Sequence, residues 1–317
     1  MSTEVEARIH QALKTHALER IDNGYRVVHP GGVGVSTLRV LPREGSGNVA
    51  AIVEVVAEYN AAVIPSFPEA GVQRLNSVAV YGAFHGNGRS LRQIAQYSLY
   101  PNEPSVALAV QVILNAFGGQ LPLGLSTALG VTSADAMEQQ RARHGLPRQW
   151  NEPVAEGALE SAAKLLRERR MAASSNRDSL WAELPLSGTS PSRAIDPQAE
   201  TALLQVNTAV PHPIAGAGYL LTISLPLAAA PSNATDLCRR LNELELRQVD
   251  FVPRLGAWGV HGANGMPTYS CFIPSTGAMG ALHLAAIGWC IRRALWLRDR
   301  FWVAGRGIEL DRVVPSG

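Results

Sequence analysis

Residues 74–101, RLNSVAVYGAFHGNGRSLRQIAQYSLYP, and residues 254–274, RLGAWGVHGANGMPTYSCFIP, follow one plan. Each opens on Arg-Leu, runs through apolar residues to a glycine, turns at Asn-Gly and closes on a second apolar run ending in proline. Asn-Gly supplies the left-handed backbone that a tight turn between antiparallel strands requires. Gly86-Asn87-Gly88 and Asn264-Gly265 therefore predict two hairpins, 78–83 with 91–100 and 257–261 with 268–273.

Further landmarks recur in the same order on either side. Val28-His29-Pro30 precedes an apolar run ending at Pro42, and Pro211-His212-Pro213 precedes one ending at Pro226. The glycine turns in these runs are Gly31-Gly32 and Gly216 with Gly218. Ile52, Val56 and Tyr59 step by four and then three, as do Leu237, Leu241 and Leu244, a spacing that predicts one helix in each half. Asn48 is the candidate N-cap of the first, and Ser232 or Asn233 of the second. Tyr100-Pro101 and Ile273-Pro274 lead into apolar helical patterns, Val106, Val110, Ile113, Phe117 and Met279, Leu282, Ala286, Trp289. Helical patterns also precede the blocks, at 4–18 and 154–173.

The blocks 25–118 and 207–297 thus read as a tandem duplication. The expected fold class is α+β: two tandem related modules, each an antiparallel sheet packed with helices, arranged as a pseudo-dimer. The first module is placed at 1–120, a Gly- and Pro-bearing connector at 121–150 and the second module at 151–317. Residues 174–198, with Pro185, Pro191 and Pro197, predict an irregular segment held to the surface by Trp181 and Leu184.

A chain of 317 residues is long enough for two domains with separate cores. Its 28 basic and 26 acidic residues nearly cancel, which leaves no field for gripping nucleic acid or anionic lipid. Cys238, Cys271 and Cys290 lack C-x-x-C spacing and read as reduced, buried thiols. Glu4, Glu6, Arg8 and Lys14 interrupt the first residues, unlike a secretory leader, and the expected location is cytoplasmic. The apolar stretch 277–291 stops at Arg292-Arg293, short of the roughly twenty residues that span a bilayer, so no membrane span is expected.

Catalytic motifs are incomplete. Ser161-Ala162-Ala163-Lys164 fits S-x-x-K, but the only other lysine is Lys14 and no K-T-G element exists. Gly124-Leu125-Ser126-Thr127-Ala128 approximates a nucleophile elbow with alanine in place of the closing glycine. No G-x-G-x-x-G, Walker A or His-x-x-x-His spacing occurs, so neither cofactor nor metal is expected. His29 pairs by position with His212, and His85 with His261, but no Asp or Glu recurs beside them, and they read as strand-end residues. Arg74 and Arg254 are candidate anion contacts. Trp289, Trp296, Phe301 and Trp302 follow helical spacing beside Arg292, Arg293, Arg298 and Arg300, either as core or as a partner-binding face, since Trp and Arg concentrate at hot spots.

The order helix, strands, helix, strand pair, helix resembles the type III secretion chaperone-like fold, including YbjN-like proteins. The resemblance is topological and rests on the 33–41 strand, the 52–59 helix, the 78–100 hairpin, the 106–117 helix and their second-half equivalents. It implies protein binding through a sheet-and-helix surface, without catalysis, and pairing of two copies. Secretion chaperones are generally small, single-module and acidic, whereas this chain is doubled and nearly neutral.

The function expected from the sequence is therefore non-catalytic binding of another protein or peptide, chaperone- or adaptor-like, with Trp258, Trp289 and Trp296 as anchors. The alternative is an enzyme or small-ligand binder with an inter-module pocket lined by His29, His85, His212 and His261.

Overall fold

The computed structural model describes residues 7, 19–22, 24–28, 34–42, 51–60, 69–86, 90–99, 153–186, 201–211, 217–226, 234–247, 253–262, 265–275, 282–303 and 307–309. The first half contains β1 (Glu19–Ile21), β2 (Gly24–Val28), β3 (Gly34–Pro42), β4 (Ala51–Tyr59), α1 (Glu69–Val78), β5 (Ala83–Gly86) and β6 (Leu91–Leu99). The second contains α2 (Ala158–Glu168), β7 (Ala173–Ser175), β8 (Ser179–Pro185), β9 (Thr201–Asn207), β10 (Gly218–Ser224), α3 (Ala234–Arg247), β11 (Ala257–His261), β12 (Met266–Pro274) and α4 (Leu282–Arg300). A small pair, β13 (Trp302–Val303) and β14 (Gly307–Ile308), follows α4.

The architecture is α+β, with two six-stranded antiparallel sheets ordered β1-β2-β3-β4-β6-β5 and β7-β8-β9-β10-β12-β11. The two orders are the same. In each, a helix intervenes between the fourth and fifth strands, and the last two strands exchange places. The predicted hairpins are found as β5–β6 and β11–β12, but the first strand of the first is Ala83–Gly86 rather than 78–83: Val78 ends α1, and the segment after it crosses to the other sheet.

Several expected elements differ. Ile52, Val56 and Tyr59 lie on strand β4, paired along its length with β3 and β6. The period of two was present: Val53, Val55, Ala57 and Tyr59 are buried, while Glu54, Val56 and Glu58 are more exposed. This alternation of β-branched residues with glutamates is the signature of a sheet with one buried face. Among the described residues the helix of the first half is α1, whose Val72, Leu75 and Asn76 form the buried stripe and whose Glu69 complements the helix N-terminus. Residues 173–185 form the β7–β8 hairpin rather than an irregular segment. Asn176 Oδ1 accepts from the N–H groups of Asp178 and Ser179 at 2.9 and 2.8 Å and shapes its turn. Leu184 is buried in the core, and Trp181 is half-buried.

The repeat register also changes. By its place after the fourth strand, α1 corresponds to α3, so Arg74-Leu75-Asn76 matches Arg240-Leu241-Asn242 rather than Arg254-Leu255. Likewise Gly82-Ala83-Phe84, leading into β5, matches Gly256-Ala257-Trp258, leading into β11. Val28 ends the second strand of its sheet whereas Pro211 follows the third of the other, so those two landmarks are not equivalent.

The helix expected at 4–18, of which only residue 7 is described, lies outside the described residues. So do the 106–117 helix, the 121–150 connector, Gly31-Gly32, Asn48, Ser232, Asn233 and Ser126. No helix among the described residues is long and apolar enough to cross a membrane. One apolar cluster joins the sheets: Leu38, Val53, Val55 and Tyr97 of the first pack in it with Leu204, Leu221 and Ile273 of the second and with Ala286, Trp289 and Trp296 of α4.

Candidate functional site

The two sheets meet through the segments that lead into β5 and β11, and each segment crosses to the other sheet. The Phe272 N–H on β12 donates to the Val80 carbonyl at 3.0 Å, and the Gln96 N–H on β6 donates to the Arg254 carbonyl at 3.0 Å. The Arg254 N–H returns a bond to the Gln96 carbonyl at 2.7 Å, closing an antiparallel bridge. Between the crossings, the Gly82 N–H donates to the Leu255 carbonyl at 2.7 Å. Side chains extend this seam: Tyr81 meets Phe272 edge-on at 6.1 Å, and Arg239 on α3 pairs with Glu69 on α1 at 2.9 Å. The Arg254 guanidinium donates to the Gln96 side-chain carbonyl, and the Gln96 amide passes a bond to Glu54 at 2.6 Å. Arg254 is thus committed to the seam rather than to an anion, and burial lowers its pKa to about 10.

Each helix is clamped to its hairpin by the same residue type. The Asn76 amide donates to the Phe84 carbonyl at 3.0 Å and accepts from the Phe84 N–H at 2.7 Å. Asn242 does the same to Trp258, at 2.9 and 2.8 Å. A buried asparagine supplies one donor and one acceptor in the geometry of a peptide group, so it satisfies a strand residue where no neighbouring strand does. Replacing Asn242 by leucine is expected to leave both Trp258 backbone groups unsatisfied and to cost about 2 kcal/mol. Urea denaturation checks this, and Asn76→Leu is expected to lose a similar amount.

Beneath the Asn242 clamp lies a buried ion pair. Arg293 on α4 holds Glu245 on α3 in a fork, Nε to Oε1 at 2.7 Å and Nη2 to Oε2 at 2.9 Å, and donates to the Pro253 carbonyl at 3.1 Å. Its guanidinium sits 3.8 Å from the centre of the Tyr269 ring, and the Trp258 indole N–H donates to Glu245 Oε1 at 2.8 Å. Burial disfavours the charge on Arg293, but the Glu245 carboxylate outweighs it and holds the guanidinium pKa above its ordinary value. The sequence reading missed this pair; the signal was an acid and a base, Glu245 and Arg293, on otherwise apolar helical faces.

The three tryptophans expected to anchor a partner are core residues. Trp258 is 0% exposed, and Trp289 and Trp296 are 7% exposed. Trp289 packs edge-on against Tyr97 of the first sheet at 5.8 Å, and Trp296 against Phe301 at 4.9 Å. Large rings that join two sheets contribute most when no face is left to water. Ser161 and Lys164 stand exposed on α2.

His29 and His212 lie outside the described residues. His85 and His261 are half-buried near the ends of β5 and β11, and the Nε2 of each is buried without a hydrogen-bond partner among the described residues. Burial lowers the pKa of His85 to about 4, and lowers those of His261 and His283. The three cysteines are free and buried, and burial pushes the Cys238 thiol up to about 12. No group of three or more His, Cys, Asp or Glu among the described residues could hold a metal ion.

A surface cleft of about 430 Å³ opens on the second sheet, lined by Arg167, Met171, Trp181, Glu183 and Leu203 among others, and by neither His85 nor His261. Leu203 is 41% exposed and Trp181 half-buried. Beside it, α2 covers the short edge strand β7: Arg167 donates to the Ala173 carbonyl at 3.3 Å and pairs with Glu160, which accepts from the Ser175 hydroxyl. Capping an edge in this way obstructs the addition of a further strand.

Comparison of the chain with protein-family models, curated proteins and solved structures finds no match.

Proposed function

We propose that the chain is a non-catalytic binding protein, chaperone- or adaptor-like, whose two modules form an intramolecular pseudo-dimer and whose partner is a protein or peptide. The shared strand order, the paired asparagine clamps and the reciprocal crossing bonds support the pseudo-dimer. The observation that carries the binding role is the cleft on the second sheet, where Trp181, Met171 and Leu203 offer apolar surface to an incoming side chain, with Arg167 and Glu183 beside them. The type III secretion chaperone-like resemblance agrees with this reading. The buried tryptophans no longer serve as anchors, and Trp181 with Leu203 takes that place. The histidine-pocket alternative is not favoured, because His85 and His261 lie off the cleft.

The test compares proteins retained by the wild type, by Leu203→Glu and by Leu165→Glu, which changes a similarly exposed leucine on α2 that does not line the cleft. The expected result is a partner held by the wild type and by Leu165→Glu, and reduced at least about tenfold by Leu203→Glu, the scale of about 1.4 kcal/mol for a lost apolar contact. Equal retention by all three removes the cleft from the account. A wild type that holds a metabolite or metal and no protein overturns the binding role itself.

A further inference from the structure

We propose that the seam between the two sheets is an acid-sensitive joint, opened by protonation of His85. This goes beyond the binding role and does not depend on it. His85 belongs to β5, the strand of the first sheet that lies against β11 and α1 at the seam. Its Nε2 is buried and has no hydrogen-bond partner among the described residues, so a proton arriving there is taken out of water.

The charges around it are few. On β6, Arg92 stands opposite His85 in register and disfavours the imidazolium. On α3, across the seam, Glu243 favours the imidazolium, but this carboxylate is already paired with Arg239 at 2.9 Å. On α1, Val72 and Asn76 pack toward β5, whereas Glu69 and Arg74 are exposed and Glu69 is paired with Arg239. The titratable residue of β11 is His261, which burial also holds toward its neutral form. Burial outweighs the one attractive partner, and the closed seam favours neutral His85.

The direction of the pH effect follows. The pKa of His85 is lowered from 6.5 in water to about 4 in the closed protein. Its contribution to closure is complete above about pH 6.5 and is lost as the pH falls from there toward 4. Opening that returns the ring to water is then favoured roughly 30-fold more at pH 5 than at pH 7.5.

The amides of Gln96 and Phe272, which bond across the seam, report opening by hydrogen exchange once intrinsic rates are divided out. Full-length wild type is expected to lose about 30-fold of their protection between pH 7.5 and pH 5. His85→Gln, which cannot titrate, is expected to flatten that response, and His261→Gln to retain most of it. Glu243→Gln lies on a partly exposed face and is expected to fold normally; removing the carboxylate should leave the response between pH 7.5 and pH 5 at about 30-fold and let it keep growing below about pH 4, where the wild type levels off. A full acid response in His85→Gln, a shallower one in Glu243→Gln, or no acid response in the wild type each overturns the proposal.

Discussion

Arg293→Met is expected to lower stability by about 3–5 kcal/mol, because it leaves Glu245 charged, buried and unpaired. Arg293 and Glu245 are 1% and 5% exposed, so water cannot take over the role of the missing partner. The same guanidinium holds the Pro253 carbonyl and covers the Tyr269 ring, so the loss extends to the strand that carries Trp258. Charge and packing are separable. The double variant Glu245→Leu with Arg293→Met removes both charges at similar volume and is expected to regain more than half of the loss. It should fall short of the wild type, since the Trp258 indole N–H then lacks its acceptor. Urea denaturation of the three variants measures the differences. Arg293→Met within about 1 kcal/mol of the wild type would show that the pair is not closed to solvent.

The second large effect is expected at Gly259 on β11. A Cβ there would lie 2.5 Å from Ser77 Cα and 2.6 Å from Ser77 N, backbone atoms of α1 that cannot turn aside as a side chain can. Gly259→Val therefore has to lift α1 off the strand, exposing the cluster of Val72, Leu75 and Ala257, at an expected cost of about 3 kcal/mol. Gly262 is the control. It has φ +71 and open space around a notional Cβ, so Gly262→Ala meets backbone strain alone, about 1–2 kcal/mol. Thermal unfolding of both variants checks the order, and Gly259→Val less destabilising than Gly262→Ala contradicts the close approach of α1 to β11.

The hairpins around Asn-Gly and the helices at 158–168, 234–247 and 282–300 were legible because turn chemistry and period-3.6 apolar spacing act locally. β4 was not, because Ile52, Val56 and Tyr59 satisfy a helical spacing while Val53, Val55, Ala57 and Tyr59 satisfy a strand, and the neighbours β3 and β6 decide between them. α1 was hidden because its buried face carries Gln73 and Asn76 as well as apolar residues, so the stripe is weak in hydrophobicity although well packed. The correspondence between the two halves was misregistered: Arg-Leu occurs at 74, 240 and 254, and only the following Asn, at 76 and 242, marks the residue that clamps a strand. The tryptophans were read as anchors because composition does not distinguish a ring that joins two sheets from one that meets a partner. The cleft escaped because its β8 wall, with Trp181 and Glu183, falls within a segment whose prolines suggested a loop, and only as a strand does it stand beside Leu203 of β9.

The most direct test of the two-module account is hydrogen exchange at Gln96 and Phe272, in the wild type and in Gly259→Val at pH 7.5. Each amide bonds to the segment crossing from the opposite sheet. Both are expected to be protected in the wild type to within about tenfold of one another, and Gly259→Val is expected to release both together as one opening event. Protection of one amide with free exchange of the other in the wild type, or release of only one by Gly259→Val, would contradict a reciprocal seam.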